Sequence, residues 1–339
     1  MSQFKIIHNE GVRYKKDILQ FWNDYLPDTP HTRFDWMQNN PAGPPVWFLA
    51  IDTNSEELIG TVSVMPRKIV LNGTEIAAGI IGDFMVHRNH RVFGPALQLQ
   101  KMVIEKMSDI GFNFIYSVPN AYSLKVLEKV GYKQISKLCC LVKPLKVEYY
   151  LGKYANIHLS KFVAPMLNGI LKLLSKETYL RSDGFVEEVL NINDSFDILW
   201  NAVVKQQSGL IGDHSATYLE WRYFNNPVNK YRLLTYKDTI KKELLGYLMF
   251  AIIDGKVEIF DLIGIDIIYA EELLKKLIAI TRQENCKAIY VSFPMINPWL
   301  HRLKPYLFFD AQFDAAIYFY GKKEELNTEW YFFSGDRNI

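Results

Sequence analysis

Gly82-Asp83-Phe84-Met85-Val86-His87-Arg88-Asn89-His90-Arg91-Val92-Phe93-Gly94-Pro95-Ala96 is the stretch that decides the fold. The apolar run Ala77 to Ile81 continues through Phe84, Met85 and Val86, which predicts a strand. Polar and basic residues come next, then Gly94. A helix then begins near Pro95 and carries Leu97, Leu99, Met102, Val103 and Met107. A strand that turns into a helix in this way presents successive backbone N–H groups at the positive end of the helix dipole, a geometry suited to a pyrophosphate. Gly94 permits close approach to the backbone, and Pro95 loses nothing in a first turn whose N–H groups are unpaired anyway. An ordinary strand–turn–helix connection has the same spacing, so the choice between the two rests on the residues downstream.

There, Phe112 to Val118 reads as a second buried strand that ends at Pro119-Asn120. A short helix with Leu124 and Leu127 comes next, then Lys129-Val130-Gly131-Tyr132, and Lys133 to Leu141 suits a last strand. The segment resembles the acyl-CoA loop of the GCN5-related N-acetyltransferase (GNAT) superfamily, Arg/Gln-x-x-Gly-x-Gly/Ala after a strand, with Arg91, Gly94 and Ala96 at those places. The strand–Asn–helix–Gly-aromatic unit comes in the superfamily's order, so the resemblance covers roughly residues 45 to 145. It implies an acyl-CoA co-substrate and no metal. Two parallel strands would splay beyond Val86 and Val118 and hold the pantetheine arm between them. Phe84, Met85, Val86, Arg91, Val92, Phe93, Gly94, Pro95, Ala96 and Asn120 are the implied cofactor contacts.

The chain has 339 residues, enough for two domains, and 49% hydrophobic with 14% aromatic residues supports real cores. A net charge of +2 argues against broad electrostatic capture of nucleic acid. Three cysteines, Cys139, Cys140 and Cys286, suggest neither a disulfide framework nor a metal cluster; reduced thiols in a cytoplasmic protein are the simple interpretation. No export signal is visible at the N-terminus. Phe162 to Leu174 is apolar but too short to span a bilayer. It leaves two readings: a packed linker helix, or an interfacial helix flanked by Lys161, Lys172 and Lys176.

The two halves of the chain echo each other. Asp17 to Asn23 matches Asp197 to Asn201, Trp36 to Pro41 matches Trp221 to Pro227, and Leu58 to Val62 aligns with Leu245 to Leu248. Gly82 to Met85 aligns with Phe260 to Ile263, and Ile115 to Pro119 with Ile289 to Pro294. The expectation is an α/β protein of two GNAT-like domains in tandem, each a mixed, mostly antiparallel sheet with splayed central strands. Residues 1–145 would carry the acyl-CoA site, 146–183 a helical linker, and 184–339 a degenerate copy. In the second half, Ile265 to Ala270 has no glycine at the turn, and Asp266 would repel a phosphate. One acyl-CoA site per chain is expected, with the second half completing the acceptor pocket.

Acyl transfer to an amine needs a neutral amine, a place for the oxyanion, and an exit for the thiolate. Asp83 is the candidate base, by its place on the strand in the superfamily; a structural carboxylate is the competing reading, because Asp261 stands at the matching place. Backbone N–H groups near Met85 and Val86 suit the oxyanion. Many GNATs place a tyrosine general acid where this chain has Leu127, so Tyr122 or a water would substitute, or the thiolate leaves unaided. Asn120 either touches the cofactor or caps a helix. His87 and His90 flank the loop without metal spacing. In the second half, His214, Trp221, Arg222 and Tyr223 either pack as an aromatic helix or wall the acceptor pocket, offering an Arg to a phosphate and rings to a base or sugar.

The order Pro44-Pro45-x-Trp47-Phe48-Leu49-Ala50, then Val86 to Arg91, then Glu220-Trp221-Arg222-Tyr223 is similar to tandem-GNAT N-acyltransferases of bacterial surface-polysaccharide (O-antigen) pathways. That resemblance implies a nucleotide-linked amino sugar, a dTDP-3-amino-3,6-dideoxyhexose, as acceptor. Alternatives are a peptidoglycan-type aminoacyltransferase, a protein-lysine acetyltransferase, and a non-catalytic CoA-binding scaffold. Monomer and dimer are equally compatible with the sequence.

Overall fold

The computed structural model describes residues 4–90, 93–148, 157–179, 185–297, 299–312, 314–321 and 329–338. The first half runs β1 (Phe4–His8), α1 (Lys15–Tyr25), α2 (Thr32–Gln38), β2 (Val46–Asp52), β3 (Leu58–Leu71), β4 (Thr74–Val86), a 3-10 turn Arg88–His90, α3 (Phe93–Ile110), β5 (Phe114–Ser117), α4 (Ala121–Lys129) and β6 (Lys133–Pro144). After α5 (Ile157–Leu174) come β7 (Phe185–Val189), α6 (Ser195–Gln206), β8 (Leu210–Gly212) and α7 (Ala216–Leu219), which continues as a π-helical turn Glu220–Phe224. The order then repeats: β9 (Tyr231–Lys237), β10 (Leu244–Ile253), β11 (Lys256–Gly264), α8 (Ile267–Gln283), β12 (Ala288–Pro294), α9 (Trp299–Arg302), β13 (Phe309–Asp310), β14 (Ala315–Gly321) and β15 (Trp330–Tyr331). Strand, two helices, three antiparallel strands, long helix and parallel strand therefore occur twice in the same order.

Among the described residues the strands form one 15-stranded mixed sheet, in the order β1-β2-β3-β4-β5-β14-β6-β12-β11-β10-β9-β7 along its main path. This order corrects one expectation. Lys133 to Leu141 is the last strand of the first half in sequence, yet β6 does not pair with β5. It lies antiparallel to β12, Ala288 opposite Pro144, and β14 of the second half takes the place beside β5, Tyr318 opposite Ser117. The halves have exchanged their last strands, and β14 also pairs β6, so the sheet is continuous across the exchange. Boundaries at 145 and 183 describe the order along the chain, whereas in space the halves interleave.

The core obeys the same exchange. Trp22, Phe34, Trp47 and Tyr116 of the first half pack in one cluster with Ile317, Phe319, Trp330 and Phe332 of the second. Trp36 and Trp221, matched in the sequence repeat, stack with ring centroids 4.5 Å apart and 3° between planes. Each indole Nε1 donates to the other's backbone carbonyl, at 2.7 and 2.9 Å. Reciprocal contact of equivalent residues is what a two-fold relation produces. Among the described residues no helix is long and apolar enough to cross a membrane. All three cysteines are unpaired.

Candidate active site

β4 is paired in parallel with β5 only through Ala78 with Phe114, Gly79 with Ile115 and Ile80 with Tyr116. Beyond Ile80, β4 stays with β3 as far as Val86, while β5 ends at Ser117 and the chain turns into α4. The two strands part there. A cleft of about 710 Å³ opens over Asp83 to Val86, bounded by Ala96 of α3, by Asn120 and Tyr122 at the start of α4, and by Tyr25 of α1.

α3 begins at Phe93, so Gly94, Pro95 and Ala96 form its first turn. Arg91 and Val92 lie outside the described residues, and so does the side chain of Phe93. No residue from Arg91 to Ala96 has a side chain able to accept a hydrogen bond, so none can cap the first-turn N–H groups. The second half differs at this place. Asp266 is the N-cap of α8, its carboxylate accepting from Ile268 N at 2.9 Å. The residues from Arg91 to Ala96 thus bring no acceptor side chain to the start of α3, whereas Asp266 brings one to the start of α8. Gly94 proves less demanding than expected: a Cβ there would meet only the Phe4 ring, at 3.5 Å.

Asp83 lies at a β-bulge. Thr61 faces Met85 and Ser63 faces Gly82, so Asp83 and Phe84 together oppose one residue of β3. Asp83 has φ +47, a left-handed conformation that aspartate tolerates better than most residues. Its carboxylate lines the cleft but is engaged: Arg33 Nη1 donates to Oδ1 at 2.7 Å and Ser63 Oγ to Oδ2 at 2.7 Å. Both side chains of the ion pair are almost fully buried, at 3% and 1% exposure. A guanidinium and a hydroxyl thus hold both carboxylate oxygens of Asp83 in place. Asp261 holds the corresponding place in the second half, bound by His214 Nε2 at 3.0 Å and Tyr247 OH at 2.8 Å.

Asn120 caps α4, its Oδ1 accepting from Tyr122 N and Ser123 N at 3.0 Å each, and it also lines the cleft. The two readings of Asn120 are therefore compatible. Tyr122 lies at the mouth, 88% exposed, whereas Leu127 is buried. Among the described residues no group of His, Cys, Asp and Glu is arranged to hold a metal.

None of His214, Trp221, Arg222 and Tyr223 lines this cleft; all four are buried. Burial opposes charge on His214, but the adjacent Asp261 carboxylate outweighs it and raises the imidazole pKa. Trp221 belongs to the tryptophan pair, and Tyr223 packs edge-on against Tyr231. Arg222 serves the site indirectly. Its guanidinium donates to the carbonyls of Gly335 and Arg337, Arg67 pairs with Asp336 at 2.6 Å, and Tyr116 OH donates to the Asp336 carbonyl at 3.0 Å. These bonds lead the chain to Asn338, which lines the cleft. A Cβ on Gly82 would lie 1.9 Å from Asn338 Nδ2, so this glycine makes room for the carboxamide.

Sequence reasoning missed Arg33, Ser63 and Asn338. An arginine inside the aromatic helix Thr32–Gln38 was a signal that a buried partner existed. For Asn338 the sequence holds none, because its placement depends on bonds that cross the strand exchange.

Residues 14–135 match the family model of the acetyltransferase (GNAT) domain. No curated protein sequence matches the chain. Among solved structures, a conserved protein of unknown function from Enterococcus faecalis, given as a "Probable N-Acyltransferase", superposes with TM-score 0.65 at 12% identity, covering 94% of this chain and 72% of that one. A GCN5-related N-acetyltransferase from Anabaena variabilis gives 0.61 at 12% identity, covering 93% and 72%. The Saccharomyces cerevisiae N-myristoyltransferase with bound myristoyl-CoA gives 0.61 at 11% identity, covering 95% and 79%. At such identities the likeness concerns the fold. Residues 14–135 thus carry the match to a GNAT acetyltransferase domain, which supports an acyl-CoA N-acyltransferase, and the fold is shared along nearly the whole chain with the three structures named.

Proposed function

We propose that the chain moves an acyl group from acyl-CoA to the amine of a small acceptor, and that the acceptor is a nucleotide-linked amino sugar of the dTDP-3-amino-3,6-dideoxyhexose kind. The observation that carries the transfer is the parting of β4 and β5 beside the start of α3, where Arg91 to Ala96 carry no acceptor side chain, against the Asp266-capped start of α8 in the other half. Acyl-CoA supplies the activated acyl group. The first turn of α3 would hold the pyrophosphate with Arg91 to Ala96, and the edges of β4 and β5 the pantetheine amides.

Asp83, fixed by Arg33 and Ser63, would orient the acceptor amine and pass its proton to water. Tyr122, at the mouth of the cleft, would return a proton to the departing thiolate, although a thiolate leaves at modest cost without one. Asn338 adds a carboxamide to the acceptor side. The volume of about 710 Å³ and the rings of Tyr25 and Tyr122 at the mouth support a small, ring-bearing acceptor. Three unpaired thiols support a reducing, cytoplasmic setting.

The test is release of free thiol from several acyl-CoAs crossed with sugar nucleotides bearing an amine, simple amines and peptides. Release with an amino-sugar nucleotide supports the acceptor. Release only with peptides or simple amines removes that acceptor and keeps the transfer, and no release with any amine removes both.

A further inference from the structure

α5 turns an apolar face to solvent. Met166, Ile170 and Leu173, spaced i, i+4, i+7, are 63%, 42% and 59% exposed, and Leu174 beside them is 65% exposed. A Cβ on Gly169, within the same stripe, would have nothing within 4 Å. The opposite face fixes this orientation. Ala164 is buried and Leu167 and Leu171 are half-buried, and Asn168 donates to the Glu148 carboxylate at 3.0 Å while accepting from Val147 N at 2.9 Å. The helix is docked by one side and presents the other, an arrangement a soluble surface helix avoids.

The charge pattern indicates what covers the stripe. No aspartate or glutamate occurs between Glu148 and Glu177, whereas Lys153, Lys161, Lys172 and Lys176 do. Lys176 is taken by Glu271 at 2.8 Å. Lys172 is exposed on α5. A second copy meeting this face through a two-fold axis would bring lysines toward lysines with no carboxylate between them. A bilayer surface carrying anionic headgroups supplies the missing charge and takes the apolar stripe to the headgroup boundary. Tyr179, 70% exposed beyond the end of the helix, is a residue type suited to that boundary.

We propose that α5 seats the protein on an anionic lipid surface, lying in its plane. The proposal is independent of which amine the cleft acylates. The full-length protein is sedimented with phosphatidylcholine vesicles and, separately, with mixed phosphatidylcholine–phosphatidylglycerol vesicles. It should partition onto the anionic vesicles, less so as salt rises, and about tenfold less onto the neutral ones. The double variant Ile170→Asp/Leu173→Asp changes only exposed side chains, so it should keep its melting temperature and lose partitioning about tenfold or more. Lys172→Glu, which keeps the stripe, should weaken partitioning onto anionic vesicles and leave neutral ones unaffected. Failure to sediment with anionic vesicles, equal partitioning onto both kinds, or an undiminished double variant would overturn the proposal. So would a wild-type dimer that the double variant converts to monomer without any vesicle binding.

Discussion

The ion pair of Arg33 and Asp83 shows how the meaning of a residue changes once its neighbours are known. The strand position of Asp83 suggests a base, but the structure surrounds it with donors and puts the pair out of water. Asp83→Asn therefore tests two things at once. Asparagine tolerates the left-handed conformation, but it leaves a buried guanidinium uncompensated, a loss of about 3–5 kcal/mol. Urea unfolding should show that loss, and Arg33→Met combined with Asp83→Asn should recover much of it. If both the single and the double variant lose activity at preserved CoA affinity, the carboxylate acts on the acceptor. Gly82→Ala probes the same floor from the other side, because its Cβ needs the space of the Asn338 carboxamide. It should raise the acceptor KM several-fold without changing CoA binding; an unchanged acceptor KM would remove Asn338 from the site.

At the scale of elements, β4, α3, β5 and α4 were legible from the sequence. Their signals are local: an apolar run, helical spacing, Gly and Pro at the turn, and an Asn before a helix. Asn120 caps α4 as its position suggested. The bulge at Asp83 was not legible, because it arises from register against β3 and not from β4 itself. The contrast between α3 and α8 belongs to this scale too, since one residue decides whether a helix start is open. Val92 precedes α3 in sequence as Asp266 precedes α8. Val92→Asp should therefore install a cap worth about 1 kcal/mol to the helix, leave thermal stability equal or higher, and weaken CoA binding about tenfold or more through competition and charge. Lower stability with unchanged CoA affinity would show that the helix start is not the anion site.

For the whole molecule, the repeat was readable as a series of short matches, but the exchange of last strands was not. Lys133 to Leu141 has the same alternation whichever strand lies beside it, and pairing is settled by contacts formed across the chain. The same reason explains why His214, Trp221, Arg222 and Tyr223 were candidates for a pocket wall and turn out to be packed inside, Trp221 on Trp36 of the first half, His214 and Arg222 on Asp261 and Gly335 of the second. A fragment of residues 1–145 lacks β14 and so exposes the edge of β5. It should show no cooperative unfolding alone and should recover it when produced together with residues 184–339.

Lys143 marks the exchange energetically: it is buried, donates to Ser175 Oγ at 2.7 Å and lies 3.1 Å from Glu177. Burial, against the pull of Glu177, brings its pKa down to about 8. The unfolded chain then binds more protons than the folded one between pH 8 and the ordinary lysine value, so this group makes stability rise with pH there. Wild type should gain on Lys143→Met in urea midpoint as pH increases from about 8 to 10; parallel pH profiles would contradict this.

The proposed function, with its phosphate site at the start of α3 and none at the Asp266-capped start of α8, predicts one acyl-CoA site per chain. Isothermal titration of the full chain with CoA decides the matter. The expected result is one site per chain, abolished or greatly weakened in Val92→Asp and unchanged in Asp266→Ala. Two sites per chain, or a single site that survives Val92→Asp and is altered by Asp266→Ala, would place the cofactor elsewhere.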